Sequence, residues 1–203
     1  MVRQGFIILF LFLLFGFYAQ ISLAQTEGVE INKQIEGKDS VLENNATDSA
    51  QSTIKEEVQY ELAYPGMLPD NPLYFLKTFR DAVVKFLISD PLKAAEFNVL
   101  TANKRAYAGL LLAEKDKSQL ALDTISKSNN YLHEAIVSLS KAKEKKMDIG
   151  NILDRLDKSV KKHQQVFSQQ IMPIIPESMK KDLEREINRL SEIEKSVYSL
   201  TAK

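Results

Sequence analysis

The sequence predicts an all-α protein, an antiparallel up-and-down bundle of about five helices, preceded by a signal peptide and an acidic disordered spacer. From residue 67 onward, apolar residues recur at three- and four-residue steps, which is the spacing of one face of an α-helix. The chain has only 7 glycines in 203 residues, which disfavours glycine-dependent hairpins. Short polar turns separate the helical segments, and short turns imply antiparallel neighbours.

The first 24 residues have the layout of an export signal. Arg3 is their only charge, an apolar run covers 5–19, and the small residues Ser22 and Ala24 fit signal-peptidase cleavage after Ala24. Because the segment 5–24 is nearly long enough to span a bilayer, an uncleaved membrane anchor is the alternative. In either case the remaining chain is expected outside the cytoplasm, secreted or held at the membrane by residues 5–24.

Residues 25–61 are predicted to form a disordered linker. They hold nine acidic residues against three lysines, a net charge of −6, and they show no sustained apolar period. Such a stretch buries too little apolar surface to offset the entropy lost on ordering it. The bundle is therefore assigned to 62–203. This part has a net charge of +5, too small an excess to predict nucleic-acid binding.

Each predicted helix has a start or stop signal. Asn71 and Pro72 begin the first helix, Asp90 and Pro91 begin the second, and Gly150 precedes the fourth. The predicted spans are 72–88, 91–116, 118–146, 151–171 and 176 onward. The alanine-rich stripe of the second helix would allow close approach of a neighbouring helix.

The first helix carries apolar residues on more than one stripe, together with Lys77, Arg80 and Lys85. Such a helix either lies at the centre of a bundle or binds a membrane surface. The short turn to the second helix favours central packing. In that arrangement Leu73 and Leu76 begin the buried face, and Tyr74 packs sideways with its hydroxyl near solvent. The alternative is that Tyr74 and Lys77 line a groove.

The most distinctive local pattern is the opening motif of the first helix, which consists of Pro69, Asn71, Pro72, Leu73, Tyr74 and Lys77. With Asp90-Pro91 and Ala102-Asn103-Lys104-Arg105, it resembles a bacterial family of extracytoplasmic helical domains catalogued as a domain of unknown function. The resemblance covers about 67–145. It implies a location outside the cytoplasm and a helical architecture, and no known activity. The family's Leu-x-Glu after the arginine is replaced here by Ala106-Tyr107-Ala108, so an acidic position is missing.

Catalytic and cofactor signatures are absent from the sequence. With no cysteine, thiol catalysis, disulfides and cysteine-based metal sites are excluded. His133 and His163 are the only weak metal candidates, because they lie equally far from the predicted turn near 148 and should be neighbours across a helical hairpin. They lack the usual ligand spacing, so the sequence predicts a non-enzymatic protein with no metal and no cofactor.

These observations predict a structural or protein-interaction module at the bacterial cell envelope, with an unknown protein partner and no nucleic acid. Membrane contact is expected only through the N-terminal segment or helix 72–88. The alternative is an extracytoplasmic small-molecule or lipid binder that uses the bundle interior. A binder would show a dry cavity lined by Ala102, Ala106, Leu110 and Leu132, whereas an interaction module would show an exposed apolar patch.

Overall fold

The computed structural model describes residues 58–201, which contain helices and no β-strand. The α-helices of this range are α1 (Tyr74–Leu87), α2 (Pro91–Ala113), α3 (Ser118–Glu144), α4 (Gly150–Gln165) and α5 (Glu177–Thr201). A π-helical segment, Val166–Ile171, continues α4. The predicted all-α class is confirmed. The predicted signal peptide, its cleavage site at Ala24 and the linker before residue 58 lie outside the described residues.

Most helix boundaries follow the start signals in the sequence. Asp90 is the N-cap of α2: its Oδ1 accepts a hydrogen bond from the Lys93 amide at 2.9 Å, and Pro91 occupies the first helical position. At α1 the boundary differs, because the helix begins at Tyr74 and not at Pro72. Asn71 Oδ1 accepts a hydrogen bond from the amide of Leu73 at 2.9 Å, so Asn71 shapes the turn before α1 and is not its N-cap.

Four helices share one hydrophobic core. The α2 helix packs against α3 and α4, and α5 packs against the same two helices, so both α3 and α4 lie between α2 and α5. Although α3 and α4 are consecutive in the chain, each of them packs more extensively on α2 and α5 than on the other. The largest fully buried side chains of this core are Phe167, Leu112, Ile125, Leu132, Leu139, Leu156, Ile171, Leu183 and Leu190.

The main contact of the bundle lies between α2 and α3, where small residues allow close approach. Ala102 and Ala106 on α2 and Ala121 on α3 have no exposed surface. A Cβ added at Gly109 would lie 2.8 Å from Cγ1 of Ile125, closer than two carbon atoms tolerate. The absence of a side chain at Gly109 therefore sets how near α3 comes to α2.

The first helix lies outside this core, which shows that the predicted central packing of helix 72–88 is wrong. None of its residues is buried. The predicted buried face beginning at Leu73 and Leu76 is instead exposed. The large apolar residues exposed in and around α1 are Leu73, Phe75, Leu76, Phe79, Val83, Val84, Phe86 and Leu87.

The segment before α1 docks on the bundle, and its contacts begin upstream of the predicted boundary at residue 62. Asn103 Nδ2 donates a hydrogen bond to the Tyr60 hydroxyl at 2.7 Å, and Lys162 Nζ donates to the carbonyl of Val58 at 3.2 Å. These partners belong to α2 and α4, respectively. Residues 58–61 therefore contact the folded body, although the sequence assigned them to a solvated linker.

A Tyr60→Phe substitution tests this docking. Removal of the hydroxyl takes away the acceptor of the buried Asn103 amide, so we expect the free energy of unfolding to fall by about 1–2 kcal/mol in urea denaturation. Tyr64→Phe is the matched control, because the Tyr64 hydroxyl makes no hydrogen bond within residues 58–201 and the residue is exposed. Its effect should stay below about 0.5 kcal/mol. Equal losses in the two variants would contradict docking through Tyr60.

Candidate interaction surface

The α1 helix is amphipathic, and its apolar side faces away from the bundle. We call this side the α1 apolar face and define it by Phe75, Leu76, Val83, Phe86 and Leu87, which recur at helical spacing. Their exposed fractions run from 42% for Val83 to 88% for Phe86. Large contiguous apolar patches on soluble domains generally mark interaction sites. The α1 apolar face is therefore the candidate functional site.

The opposite side of α1 is polar and contacts the bundle. The Tyr74 hydroxyl accepts a hydrogen bond from Arg105 Nη1 of α2 at 3.2 Å, and Lys85 forms an ion pair with Glu134 of α3. The helix is thus attached to two core helices through hydrogen bonds and charge. This accounts for its orientation, since polar side chains of α1 find partners on the bundle, whereas the five residues of the α1 apolar face stay exposed.

Lys77 of the opening motif holds the loop that precedes α1. Its Nζ donates hydrogen bonds to the carbonyl oxygens of Pro65 at 2.6 Å and Met67 at 3.2 Å. The same ammonium lies 5.3 Å from the ring centre of Tyr74. Lys77 and Tyr74 therefore both have structural roles. The sequence predicted that the Tyr74 hydroxyl lies near solvent, whereas it accepts a hydrogen bond from Arg105.

Ion pairs also attach the loop before α1 to the turn between α2 and α3. Asp70 forms ion pairs with Lys117 at 2.8 Å and with Lys115 at 3.5 Å. The hydrogen bond from Lys117 holds the pKa of the Asp70 carboxyl below its ordinary value. Of the remaining motif residues, Pro69 is half-buried, and Pro72 is exposed.

A cleft of about 200 Å³ opens between α1 and α2. Four cations line it, Lys77, Arg80, Lys104 and Arg105, together with one carboxylate, Asp81. Asp81 pairs with Arg80 at 2.7 Å, and no ion pair within residues 58–201 joins the other three cations to a carboxylate. The buried Nε of Arg105 also has no hydrogen-bond partner in this range. We call this feature the basic cleft.

The groups of the basic cleft influence one another. Burial lowers the pKa of Lys77, and the charges of Arg105, Lys104 and Arg80 lower it further, against the opposing effect of Asp81. Burial likewise raises the pKa of the neighbouring Tyr74. The cleft therefore holds repelling positive charges, and an anion placed in it would relieve the repulsion.

A second polar cluster lies inside the core, between α2, α3 and α4. Asn103 Oδ1 accepts hydrogen bonds from Ser159 Oγ at 2.5 Å and from His163 Nε2 at 3.0 Å. Ser128 Oγ donates to the carbonyl of Ala102 at 2.9 Å and lies 3.4 Å from His163 Nδ1. Ser128, Ser159 and His163 are 0% exposed, so this serine–histidine pair offers a substrate no access. The cluster joins three helices.

The two histidines occupy different environments. His163 is fully buried, and its ring lies 5.7 Å from that of Phe167, whereas His133 is exposed on α3. The α3 residue that meets the His163 ring is Ser128, more than one turn before His133. The expected closeness of His133 and His163 stays a prediction, and the observed neighbours of the His163 ring are Ser128 of α3 and Asn103 of α2. Within residues 58–201, no group of three or more His, Asp or Glu side chains is placed to hold a metal ion.

The residues predicted to line an interior cavity are mostly buried side chains of the core. Ala102, Ala106 and Leu132 have no exposed surface. None of them lines the basic cleft or the three other surface clefts beside Lys85, Gln59 and Tyr107. Leu110 lines a shallow groove beside Tyr60. The exposed apolar residues lie elsewhere, in and around α1 and at other surface positions such as Ile174 and Tyr198.

Fold and surface together define an all-helical domain that presents an amphipathic helix outside its core. The chain belongs to the family described as a domain of unknown function, DUF5667, whose sequence model matches residues 66–197. The predicted membership in a family of unknown function is thus confirmed, over a longer stretch than the motifs indicated. No curated protein and no solved structure matches the chain. Of the helices within 58–201, none is long and apolar enough to cross a membrane.

Proposed function

We propose that this protein is an exported, non-enzymatic module of the bacterial cell envelope that acts through the α1 apolar face. The observation that carries the proposal is the outward orientation of five apolar side chains on a helix whose polar side is fixed to the bundle. A helix that served only to stabilise the domain would bury its apolar side against the core. Here the free energy available from burying that side is left for a partner.

Export is supported by the sequence of the first 24 residues and by the likeness of the opening motif to an extracytoplasmic family pattern. The short turns support an antiparallel, up-and-down arrangement of the bundle. To test export, the full-length chain is produced in a bacterium and the N-terminal residue of the mature protein is determined by mass spectrometry. A start at Gln25, or an uncleaved chain in the membrane fraction, supports export. Retention of the full chain in the cytoplasm contradicts it.

The interaction surface is tested by photo-crosslinking in the exporting bacterium. A photoreactive phenylalanine analogue replaces Phe86 in the full-length chain, and Ile174, also an exposed apolar residue but on the link before α5, is replaced as the matched control. We expect adducts with envelope components from position 86 and few from position 174. The readout is independent of how residues 1–24 are processed.

A second variant connects the adducts to the apolar face. Phe75→Ser should reduce the adducts formed from position 86 by about tenfold, because burial of a phenylalanine contributes about 1.5–3 kcal/mol to a contact. The thermal midpoint should stay within about 2 °C of the parent, since Phe75 is exposed. Equal labelling from positions 86 and 174, or no effect of Phe75→Ser, would contradict the proposal.

A further inference from the structure

We propose that the partner of the α1 apolar face is the surface of an anionic lipid bilayer, with α1 lying in the interface and the cations that border this face opposing lipid phosphate groups. This inference rests on the proposed function, because it names the partner of the same surface. It excludes a protein partner and a second copy of the chain as the primary occupant. Three properties of the surface carry it: its shape, its charge and its rigidity.

The shape is that of a helix that lies flat at a membrane surface. The α1 helix has 14 residues, which corresponds to a length of about 21 Å. Phe75 and Phe86 stand near its two ends on the same face, with Leu76, Val83 and Leu87 beside them. Aromatic and aliphatic residues on one side and cations along the border are typical of interfacial helices.

The charge complements anionic headgroups. Arg80 follows Leu76 by four residues and precedes Leu87 by seven, so it borders the α1 apolar face, and its side chain is 66% exposed. Behind this border, Lys77, Lys104 and Arg105 line the basic cleft without a carboxylate partner in the described chain. A lipid phosphate at this border would oppose these cations with negative charge, and Arg and Lys bind phosphate readily.

Rigidity favours docking of α1 as a preformed element. The hydrogen bond from Arg105 to Tyr74 and the ion pair of Lys85 with Glu134 hold the helix before any partner is present. Because α1 is already helical, no folding of this segment is needed when the face becomes covered. A second copy is the poorer occupant, because a two-fold contact would bring the positive borders of two α1 helices together.

The test uses a single tryptophan, since the chain has none of its own. In the full-length protein, Phe86→Trp places the reporter on the α1 apolar face, and Ile174→Trp is the matched control at another exposed apolar position. Vesicles contain equal parts of phosphatidylglycerol and phosphatidylcholine. We expect F86W emission to shift to the blue and to be quenched by brominated acyl chains, and I174W emission to stay unchanged. Lipid binding by residues 5–24 alone would not give this difference.

Charge is tested in the F86W background. Arg80→Gln should weaken partition into the anionic vesicles by about fivefold, which is the contribution of one cation near such a surface. Lys181→Gln, at an exposed position on α5, is the matched control and should leave partition unchanged. With phosphatidylcholine alone, binding should be weaker, and R80Q should match its parent.

The outcomes separate this inference from the proposed function. Unchanged F86W emission with vesicles overturns the inference, and a blue shift that grows with protein concentration in their absence overturns it in favour of a second copy. Equal partition into neutral and anionic vesicles overturns the role of the cations. If vesicles do not bind but crosslinking from position 86 persists in the envelope, the proposed function stands with a protein partner and only the lipid inference falls.

Discussion

A Leu132→Ala substitution should lower the free energy of unfolding by about 2–4 kcal/mol. Leu132 on α3 is 0% exposed and belongs to the core shared by α2, α3, α4 and α5. The truncation removes buried apolar surface and leaves a cavity that helices in close contact can only partly fill. Urea denaturation followed by circular dichroism measures the change.

The control for this variant is Lys127→Ala, on an exposed position of the same helix, with an expected effect below about 0.5 kcal/mol. Lys143 is unsuitable as a control, because its ammonium donates to the carbonyl of Leu200 near the end of α5. Equal losses in L132A and K127A would show that the buried side of α3 is assigned to the wrong residues.

Mild acid should destabilise the protein through His163. Burial lowers the pKa of His163 from 6.5 to about 3, so the folded protein keeps this imidazole neutral in a range where the unfolded chain binds a proton. The stability therefore falls as the pH drops from about 6.5 towards 3, by up to about 1.4 kcal/mol per pH unit. At about pH 5 this one side chain lowers the free energy of unfolding by about 2 kcal/mol.

Urea denaturation between about pH 7 and pH 5 measures this dependence. His163→Gln removes the titrating group and retains an amide N–H that can face Asn103, so its stability should vary less with pH than that of the parent. His133→Gln is the matched control and should keep the parent slope, because His133 is exposed. A parent-like pH dependence in H163Q would contradict the assignment to His163.

Helix boundaries could be predicted because their signals are local. Asp90 and Pro91 supply a capping oxygen and a preset backbone angle within two residues, and the structure uses both. The break predicted between residues 171 and 176 is confirmed as well, and Pro173 and Pro176 fall between the π-helical segment and α5. Such effects do not depend on the rest of the fold.

The orientation of α1 could not be predicted, because periodicity shows that a helix has an apolar side and not where that side points. The orientation depends on contacts of Tyr74 with Arg105 and of Lys85 with Glu134, which are distant in sequence. The docking of Tyr60 was not predicted for a related reason. The amino-acid composition of 25–61 as a whole does not show that a single aromatic side chain contacts the bundle.

The position of His163 shows a third limit of sequence reasoning. Counting residues from a turn assumes that consecutive helices pack on each other, whereas α4 packs mainly on α2 and α5. Its histidine meets Asn103 of α2 as well as Ser128 of α3. The identity of the neighbours of α4 depends on the tertiary arrangement.

The docked segment at Val58 and Tyr60 also decides how the domain would respond to mechanical load. Tension applied to the chain upstream of residue 58 reaches Lys162 and Asn103 first, and these residues belong to helices of the core. Between this point and α1, the hydrogen bonds from Lys77 to the carbonyls of Pro65 and Met67 also resist extension of the chain. A pull from the N-terminal side would therefore meet contacts with the core helices before it meets the contacts that hold the loop in front of α1.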